Sequence, residues 1–328
     1  MIGTRSRVSW VLAACVIGGG CGDDGAHATP DAGAADVGEP DTSGSDAGGD
    51  AATDDADAGQ PNTCLDPERQ SLPCCWERTN EGRDEVELIV RAMRFHAPEA
   101  TANVLFDGQI QSAFDEGRVP WLIDVRDDGG ATVVRTGFGI RDEARESYRF
   151  SLDDAPPPGE PTRRQPVSMA GELDGDGFRS ESAAGHLVIP LIGGAEPDLP
   201  QPEITFRRVR FLEAPTTDAH TCVGARTPSR RWSFGEPPSR VEAYMHVEDA
   251  RATVIAALGD VSFCTFLASR SCDEPRASWE TPPDARCEDD GTCRPGDGTC
   301  ARDSDDPATG CNAWRFEISF AAAGVEIE

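Results

Sequence analysis

The chain has 328 residues, a formal net charge of −29 and 12 cysteines, and all thirty basic residues are arginine. A polypeptide this acidic repels phosphate and has no basic stripe with which to release counterions, so nucleic acid is a poor partner. With no lysine, a phosphate-cradling Gly-x-x-x-x-Gly-Lys loop is excluded outright.

Residues 1–21 read as an export signal. Arg5 and Arg7 precede an apolar run over residues 8–17, and no acidic residue occurs before Asp23. Two cysteines stand where a lipoprotein signal is cut. Leu12-Ala13-Ala14-Cys15 fits the lipobox, and Gly18-Gly19-Gly20-Cys21 leaves the more usual apolar length, so lipidation is expected at Cys21 or Cys15. Residues 22–62 follow as a tether of Asp, Ala, Gly, Pro, Thr and Ser with eleven acidic residues, no arginine and no aromatic. Such a segment buries too little apolar surface to offset its ordering entropy and is expected to be disordered, and its like charges extend it. A coil of about 40 residues reaches roughly 35 Å. The tether carries −11 and the leader +2, which leaves −20 for residues 63–328.

Residues 63–328 are long enough for one disulfide-rich, β-dominated globular domain. A strand is expected over residues 86–95. Phe106, Ile110, Ala113 and Phe114 then fall on one helical stripe that Gly117 ends. Strands over 119–125 and 131–140 flank Asp127-Asp128-Gly129-Gly130 as a hairpin. Further strands are expected over 148–152, 167–173, 186–192 and 204–212, with a proline-rich loop over 153–166. Ser239 and Glu242 form a capping-box signature, which points to a helix lined by Val241, Tyr244, Ala252, Ile255 and Leu258 and closed by Gly259, while the β-branched residues of the segment leave a strand open. Trp314, Phe316, Ile318 and Phe320 alternate with Arg315, Glu317 and Ser319, a half-buried strand. The fold class is therefore mainly β with one or two helices, an α+β antiparallel sheet or sandwich stapled by disulfides.

Ten cysteines lie beyond the tether: Cys64, Cys74, Cys75, Cys222, Cys264, Cys272, Cys287, Cys293, Cys300 and Cys311. An even number in an exported chain reads as disulfides, while the absence of any Cys-x-x-Cys pair or nearby histidine speaks against zinc. Three cysteines cluster over 64–75 and five in the Cys-rich acidic loop over 272–311. Both numbers are odd, so full pairing requires at least one bridge to leave each group. Adjacent Cys74 and Cys75 are expected to serve different partners.

Catalytic signatures are absent: there is no Gly-x-Ser-x-Gly elbow and no His-Glu-x-x-His helix. His246-Val247-Glu248 lacks the Pro-Cys-x-x-Cys half of a zinc deaminase. No catalytic residue is nominated. A Ser-His-Asp set assembled from distant positions stays open, because such sets are recognised by geometry, and His96, His186, His220 and His246 are its possible centres. No cofactor is required by the sequence, and calcium is the one ion with a motif. Glu172, Asp174 and Asp176 alternate ahead of Gly177 like the start of an EF-hand loop, although Ala183 stands where the bidentate glutamate belongs and an acidic β-turn is the competing reading. Asp289, Asp290 and Asp297 form a second acidic loop, offset only by Arg294 and Arg302. Trp76, Trp232 and Trp279 lie in loop-like contexts where a tryptophan either stacks on a sugar or anchors a loop; Trp121 and Trp314 read as core. The islands Arg207-Arg208-x-Arg210 and Arg230-Arg231-Trp232 read as solvated faces paired with carboxylates.

The lipobox, the Cys21-Gly22-Asp23-Asp24 start and the Asp/Ala/Gly tether resemble surface lipoproteins of GC-rich Gram-negative bacteria. The pattern from Trp279 to Cys311, followed by Asn312-Ala313-Trp314 and an alternating strand, is similar to cysteine-rich members of such sets. The resemblance implies a lipid anchor in an outer membrane or at the cell surface, in an oxidising compartment, and carries over no catalytic residue. Three functions are compatible with the residues: an envelope lipoprotein that binds or scaffolds a glycan or envelope component, a secreted hydrolase with a dispersed His/Ser/Asp site, and a calcium-stabilised adhesive module. Mass spectrometry of the mature N-terminus is expected to find an acylated Cys21 or Cys15; an unlipidated cleavage site would remove the anchor.

Overall fold

The computed structural model describes residues 74, 76–102, 104–151, 165–190, 203–217, 219–227, 231–255 and 260–328. All of them fall in the second of two compact units, Asp55–Glu328. The leader, the tether, Cys15, Cys21, Cys64, Cys75 and most of the 153–166 loop lie outside the described residues.

In chain order the elements are β1 (Val86–Ala97), α1 (Val104–Asp115), β2 (Trp121–Asp127), β3 (Thr132–Asp142), β4 (Ser147–Phe150) and β5 (Val167–Asp174). Next come β6 (Gly177–Ser180), β7 (His186–Pro190), β8 (Glu203–Pro215), β9 (Cys222–Val223), β10 (Ala225–Arg226) and β11 (Trp232–Ser233). The chain ends with β12 (Arg240–His246), α2 (Val247–Ala252), β13 (Val254–Ile255), β14 (Val261–Ser262), α3 (Phe263–Ala268), β15 (Ala285–Cys287), β16 (Cys293–Pro295) and β17 (Ala313–Gly324). The fold is mostly β, as the alternating apolar patterns require.

The antiparallel sheet closes into a barrel. Among the described residues the ring runs β1-β2-β3-β5-β6-β8-β12-β17, and β17 pairs back with β1 from Leu88↔Gly324 to Ala97↔Glu317. β7 extends the wall alongside the first half of β8. Inward residues alternate along each strand. Trp121, Phe206, Phe211, Phe316 and Phe320 are all buried, and facing rings meet: Phe206–Phe316 at 5.1 Å, Phe211–Phe320 at 5.7 Å and Trp121–Phe320 at 6.2 Å. An eight-strand barrel has an interior just wide enough for side chains to fill, and aromatics fill this one. Phe106 of α1 meets Phe95 at 5.3 Å and stacks near Phe263 of α3 at 6.1 Å, so the helices pack on the aromatic end of the same core.

The expected helical stripe is present, with Phe106, Ile110, Ala113 and Phe114 buried. The expected hairpin joins β2 to β3, and Asp127 Oδ1 accepts the Gly130 N–H at 2.6 Å inside the turn. The segment from Ser239 resolves mostly in favour of the strand rather than the helix. Residues 240–246 form β12, and among the described residues of this segment Val247–Ala252 is helical, with Leu258 and Gly259 outside the described residues. Val241, Ala243 and Met245 point into the core at period two, while Ser239 spends its hydroxyl on the backbone of Phe320, accepting its N–H at 2.8 Å and donating to its carbonyl. β12 is needed to join β8 to β17, and this tertiary pairing overrides the local capping signal.

Four disulfides join Cys74–Cys222, Cys264–Cys272, Cys287–Cys293 and Cys300–Cys311 among the described residues. One bridge ties the start of the domain to its middle and another leaves the Cys-rich loop, as the odd counts require. Cys287 and Cys293 sit directly opposite in the β15–β16 hairpin. The acidic loop has more compensation than its own sequence suggests. Arg286 contacts Glu288 at 3.0 Å and Arg294 contacts it at 3.2 Å, while Arg276, near the start of the loop, donates to the carbonyls of Ser304 and Cys311. Cys74–Cys222 spans 148 residues and should contribute on the order of 2–5 kcal/mol by restricting the unfolded chain. The double substitution Cys74→Ser/Cys222→Ser is expected to lower the denaturant midpoint by that amount while retaining the native circular dichroism spectrum.

Candidate functional site

Because aromatics fill the barrel, the accessible features lie on its outer surface. A groove of about 590 Å³ runs between α1 and the arm over residues 231–234, with Met93 and Arg94 of β1 beneath. The exposed face of α1 contributes Asp107, Gln111, Asp115 and Glu116, and the arm contributes Arg231, Trp232 and Phe234. The arm is held from both ends. On one side β10 pairs with β11, and Thr227 Oγ1 accepts the Arg231 N–H at 3.2 Å. On the other side Ser239 is tied to Phe320. Gly224 sits at φ +73°, and a Cβ there would stand 2.2 Å from the Ser233 carbonyl oxygen, so only glycine lets β11 approach this closely.

Arg94 links the two walls. Its Nε lies 3.4 Å from Asp107 Oδ2, and its guanidinium carbon lies 5.0 Å from the Phe234 ring centroid. Burial raises the Asp107 carboxyl above its ordinary range, against the opposing pull of Arg94 and His96. Asp107 Oδ1 is buried without a hydrogen-bond partner. A buried acceptor left unpaired costs free energy, so this oxygen has unmet capacity for a donor. Gln111 Nε2 donates to Asp115 Oδ1 at 2.9 Å and to the Arg91 carbonyl at 3.2 Å, fixing the rim.

A second cavity, of about 360 Å³, is lined by His96, Leu212, Pro238, Arg240, Val241, Glu317, Ile318 and Ser319. In it His96 Nε2 lies 2.9 Å from Ser319 Oγ. This contact follows from strand register. Arg94 is paired with Ser319 and Phe95 with Ile318, but Ala97 is paired with Glu317, so His96 is the extra residue of a β-bulge. A bulge re-aims its side chain, and here it turns His96 toward Ser319. Arg94 of the groove and His96 of the cavity are two residues apart on β1, so the two depressions adjoin.

The other histidines have different neighbours. His220 Nδ1 lies 2.7 Å from Thr216 Oγ1, and His246 Nδ1 accepts the Glu248 N–H at 3.2 Å to cap α2. His186 lies opposite Arg207 in the β7–β8 pairing, and Arg207 is paired with Asp249 at 2.7 Å. The candidate calcium residues have local partners. Glu172 pairs with Arg179, and Asp174 Oδ1 accepts the N–H groups of Asp176 and Gly177 at 3.0 and 3.1 Å, closing the β5–β6 turn. Asp290 Oδ1 accepts the Thr292 N–H at 2.8 Å in the β15–β16 turn. Asp289 and Asp297 belong to the same Cys-rich loop, and among the described residues no group of three or more His, Cys, Asp or Glu is placed to hold a metal ion.

Trp279 is buried and stacked on Trp314 at 5.9 Å, with its Nε1 donating to the Glu274 carbonyl at 3.1 Å; it is a loop anchor. Trp76 and Trp232 are half-buried, and Trp232 faces the groove. Sequence reasoning singled out Trp232 and His96 but missed Arg94, Asp107, Phe234 and Ser319. The outward positions of the β1 and β17 alternation hold Arg94, His96 and Ser319, and that is the signal that could have found them.

No protein-family model, curated protein or solved structure matches the chain.

His186 and His246 are both held below the ordinary histidine value by burial, reinforced by the Arg207 charge. Their contribution to stability is present above the unfolded value of about 6.5 and is lost as pH falls through the folded values. Burial raises the Asp107, Asp284 and Glu87 carboxyls, which act in the opposite sense at lower pH. Calorimetric melting of the wild type and of His186→Gln/His246→Asn is expected to diverge between pH 7.5 and 5.5, the variant losing less stability on acidification; parallel curves would refute the assignment.

Proposed function

We propose that this chain is a lipid-anchored envelope protein that displays a disulfide-stapled barrel on an acidic arm and binds a glycan on the barrel's outer surface. The leader and tether supply the address, and the filled core directs binding to the exterior. One observation carries the ligand class: Trp232 and Phe234 line a single groove with Arg94 and Asp107, and the Arg94 guanidinium lies over the Phe234 ring. Aromatic faces accept the apolar face of a sugar ring, and planar Arg, Asp and Gln groups match the donor and acceptor pairs of neighbouring hydroxyls. Asp107 Oδ1 offers the unused acceptor that a ligand hydroxyl would satisfy. Arg231 and Arg94 stand against Asp107, Asp115 and Glu116, so the groove suits a neutral or amino-bearing saccharide better than a polyanion.

Titration calorimetry of the mature protein against chito-oligosaccharides, peptidoglycan fragments and neutral hexose oligomers tests the reading. Saturable binding to one of these classes is expected, accompanied by a change in tryptophan fluorescence. Trp232→Ala should weaken it about 5- to 150-fold, since stacking of a ring on an aromatic is worth on the order of 1–3 kcal/mol. Binding unaffected by that substitution would place the ligand elsewhere, and no binding to any class would overturn the proposal.

A further inference from the structure

We propose that the cavity beside the groove is a hydrolytic centre for short acyl esters, with Ser319 as nucleophile, His96 as general base and Asp107 as the positioning carboxylate. It extends the glycan reading, for it places an ester-cleaving group next to the ligand, but its chemistry does not depend on it.

The geometry has four parts. First, the nucleophile and base are in contact: His96 Nε2 lies 2.9 Å from Ser319 Oγ, the distance and the ring nitrogen that proton transfer from a serine requires. The contact exists because the bulge in β1 turns His96 across the β1–β17 seam. Second, Asp107 Oδ1 is buried without a hydrogen-bond partner among the described residues, and the His96 charge is felt at the Asp107 carboxyl. The carboxylate thus has an acceptor to spare for the imidazole, and catalytic hydrogen bonds often tighten only when substrate binds. Third, Arg240 lines the cavity and forms no ion pair among the described residues, so its guanidinium is available to a developing oxyanion. Fourth, Leu212 and Pro238 give the cavity an apolar side. Its volume of about 360 Å³ admits an acyl group of a few carbons. Ser319 is 2% exposed and lines the cavity, so the acyl group must enter to be attacked, which selects small esters over peptides.

In the first half-reaction Ser319 Oγ bonds to the ester carbonyl carbon and passes its proton to His96 Nε2, while the carbonyl electron pair moves to the oxygen facing Arg240. Collapse of that intermediate breaks the ester C–O bond, and the leaving alkoxide takes the proton from His96. Water then attacks the acyl-serine, gives a proton to His96 and releases the carboxylic acid, and the proton returns to Ser319 Oγ. Ester and water become alcohol and acid, with no oxidant or further reactant needed. The remaining charged neighbours of the imidazole are Arg94, which is paired with Asp107, and Glu317, which is paired with Arg315 at 3.0 Å.

The test uses the mature, disulfide-bonded protein, a fluorophosphonate probe and p-nitrophenyl acetate. The probe is expected to label one residue, located at Ser319 by peptide mass spectrometry, and the ester is expected to be hydrolysed with release of p-nitrophenolate. Ser319→Ala and His96→Ala should each lower kcat/KM at least 100-fold. Asp107→Asn should lower kcat more than KM and displace the pH profile, which a merely structural role would not do. Melting temperatures accompany each variant, and the labelling experiment on the wild type stands even if a variant fails to fold. Absence of label at Ser319, or hydrolysis undiminished in folded Ser319→Ala, overturns the proposal. Neither probe contains a sugar, so a failed saccharide titration leaves this result interpretable, and a failed labelling leaves the glycan reading intact.

Discussion

The pairing of the first strand with the last is the constraint on which the rest of the domain depends. β1 and β17 lie at opposite ends of the described chain, and their ladder from Leu88↔Gly324 to Ala97↔Glu317 turns an open antiparallel sheet into a barrel. Closure satisfies strand edges that would otherwise invite pairing with other chains. It also brings the inward aromatics of both strands, Phe95, Phe316 and Phe320, into one core. The N-terminal segment locks the seam: the N–H groups of Glu77 and Arg78 both reach the Gly324 carbonyl, and Cys74–Cys222 holds that segment to β9, which itself pairs with β17. Gly324 is required here, because a Cβ would stand 2.1 Å from the Arg78 carbonyl oxygen.

Closure also decides where chemistry can occur. Among the described residues Trp121, Phe206, Phe211 and Phe316 fill the interior, as side chains do in a barrel of this size. Binding groups must therefore be assembled from outward positions, and the seam is where they gather. Arg94 and Ser319 face one another across it, His96 bulges toward Ser319, and α1 lays Asp107 alongside. The arm over 231–234 completes the groove because Ser239 and the β10–β11 pair pin it on both sides. The proposed glycan groove and the proposed ester-cleaving pair therefore draw Arg94 and His96, respectively, from one strand.

The acidity of the chain is managed locally. Buried or half-buried carboxylates have an arginine at hand: Glu87 with Arg83 at 2.6 Å, Glu242 with Arg315 at 2.6 Å, Asp124 with Arg126, and Glu77 with Arg91. Arginine suits this work, for its planar fork satisfies carboxylates with directed hydrogen bonds and is more weakly hydrated than an ammonium. The exposed pairs, such as Glu172 with Arg179, contribute little to stability and keep the surface soluble.

The β-dominated class, the α1 stripe, the β2–β3 hairpin and the alternating β17 were legible in the sequence, because each depends on neighbours within a few residues. The odd cysteine counts likewise implied bridges leaving each cluster, which Cys74–Cys222 and Cys264–Cys272 supply. Residues 240–246 stayed ambiguous between helix and strand, because a local capping signal competes with a strand that β8 and β17 stabilise. The site was less legible. Trp232 and His96 stood out as residue types, but nothing local shows that His96 is a bulge residue or that Ser319 lies beside it, 223 positions away. Composition and short-range periodicity thus determined the β-rich class, the disulfide staples and most of the strands. Barrel closure, a long-range pairing with no local signature, decided which outward side chains meet.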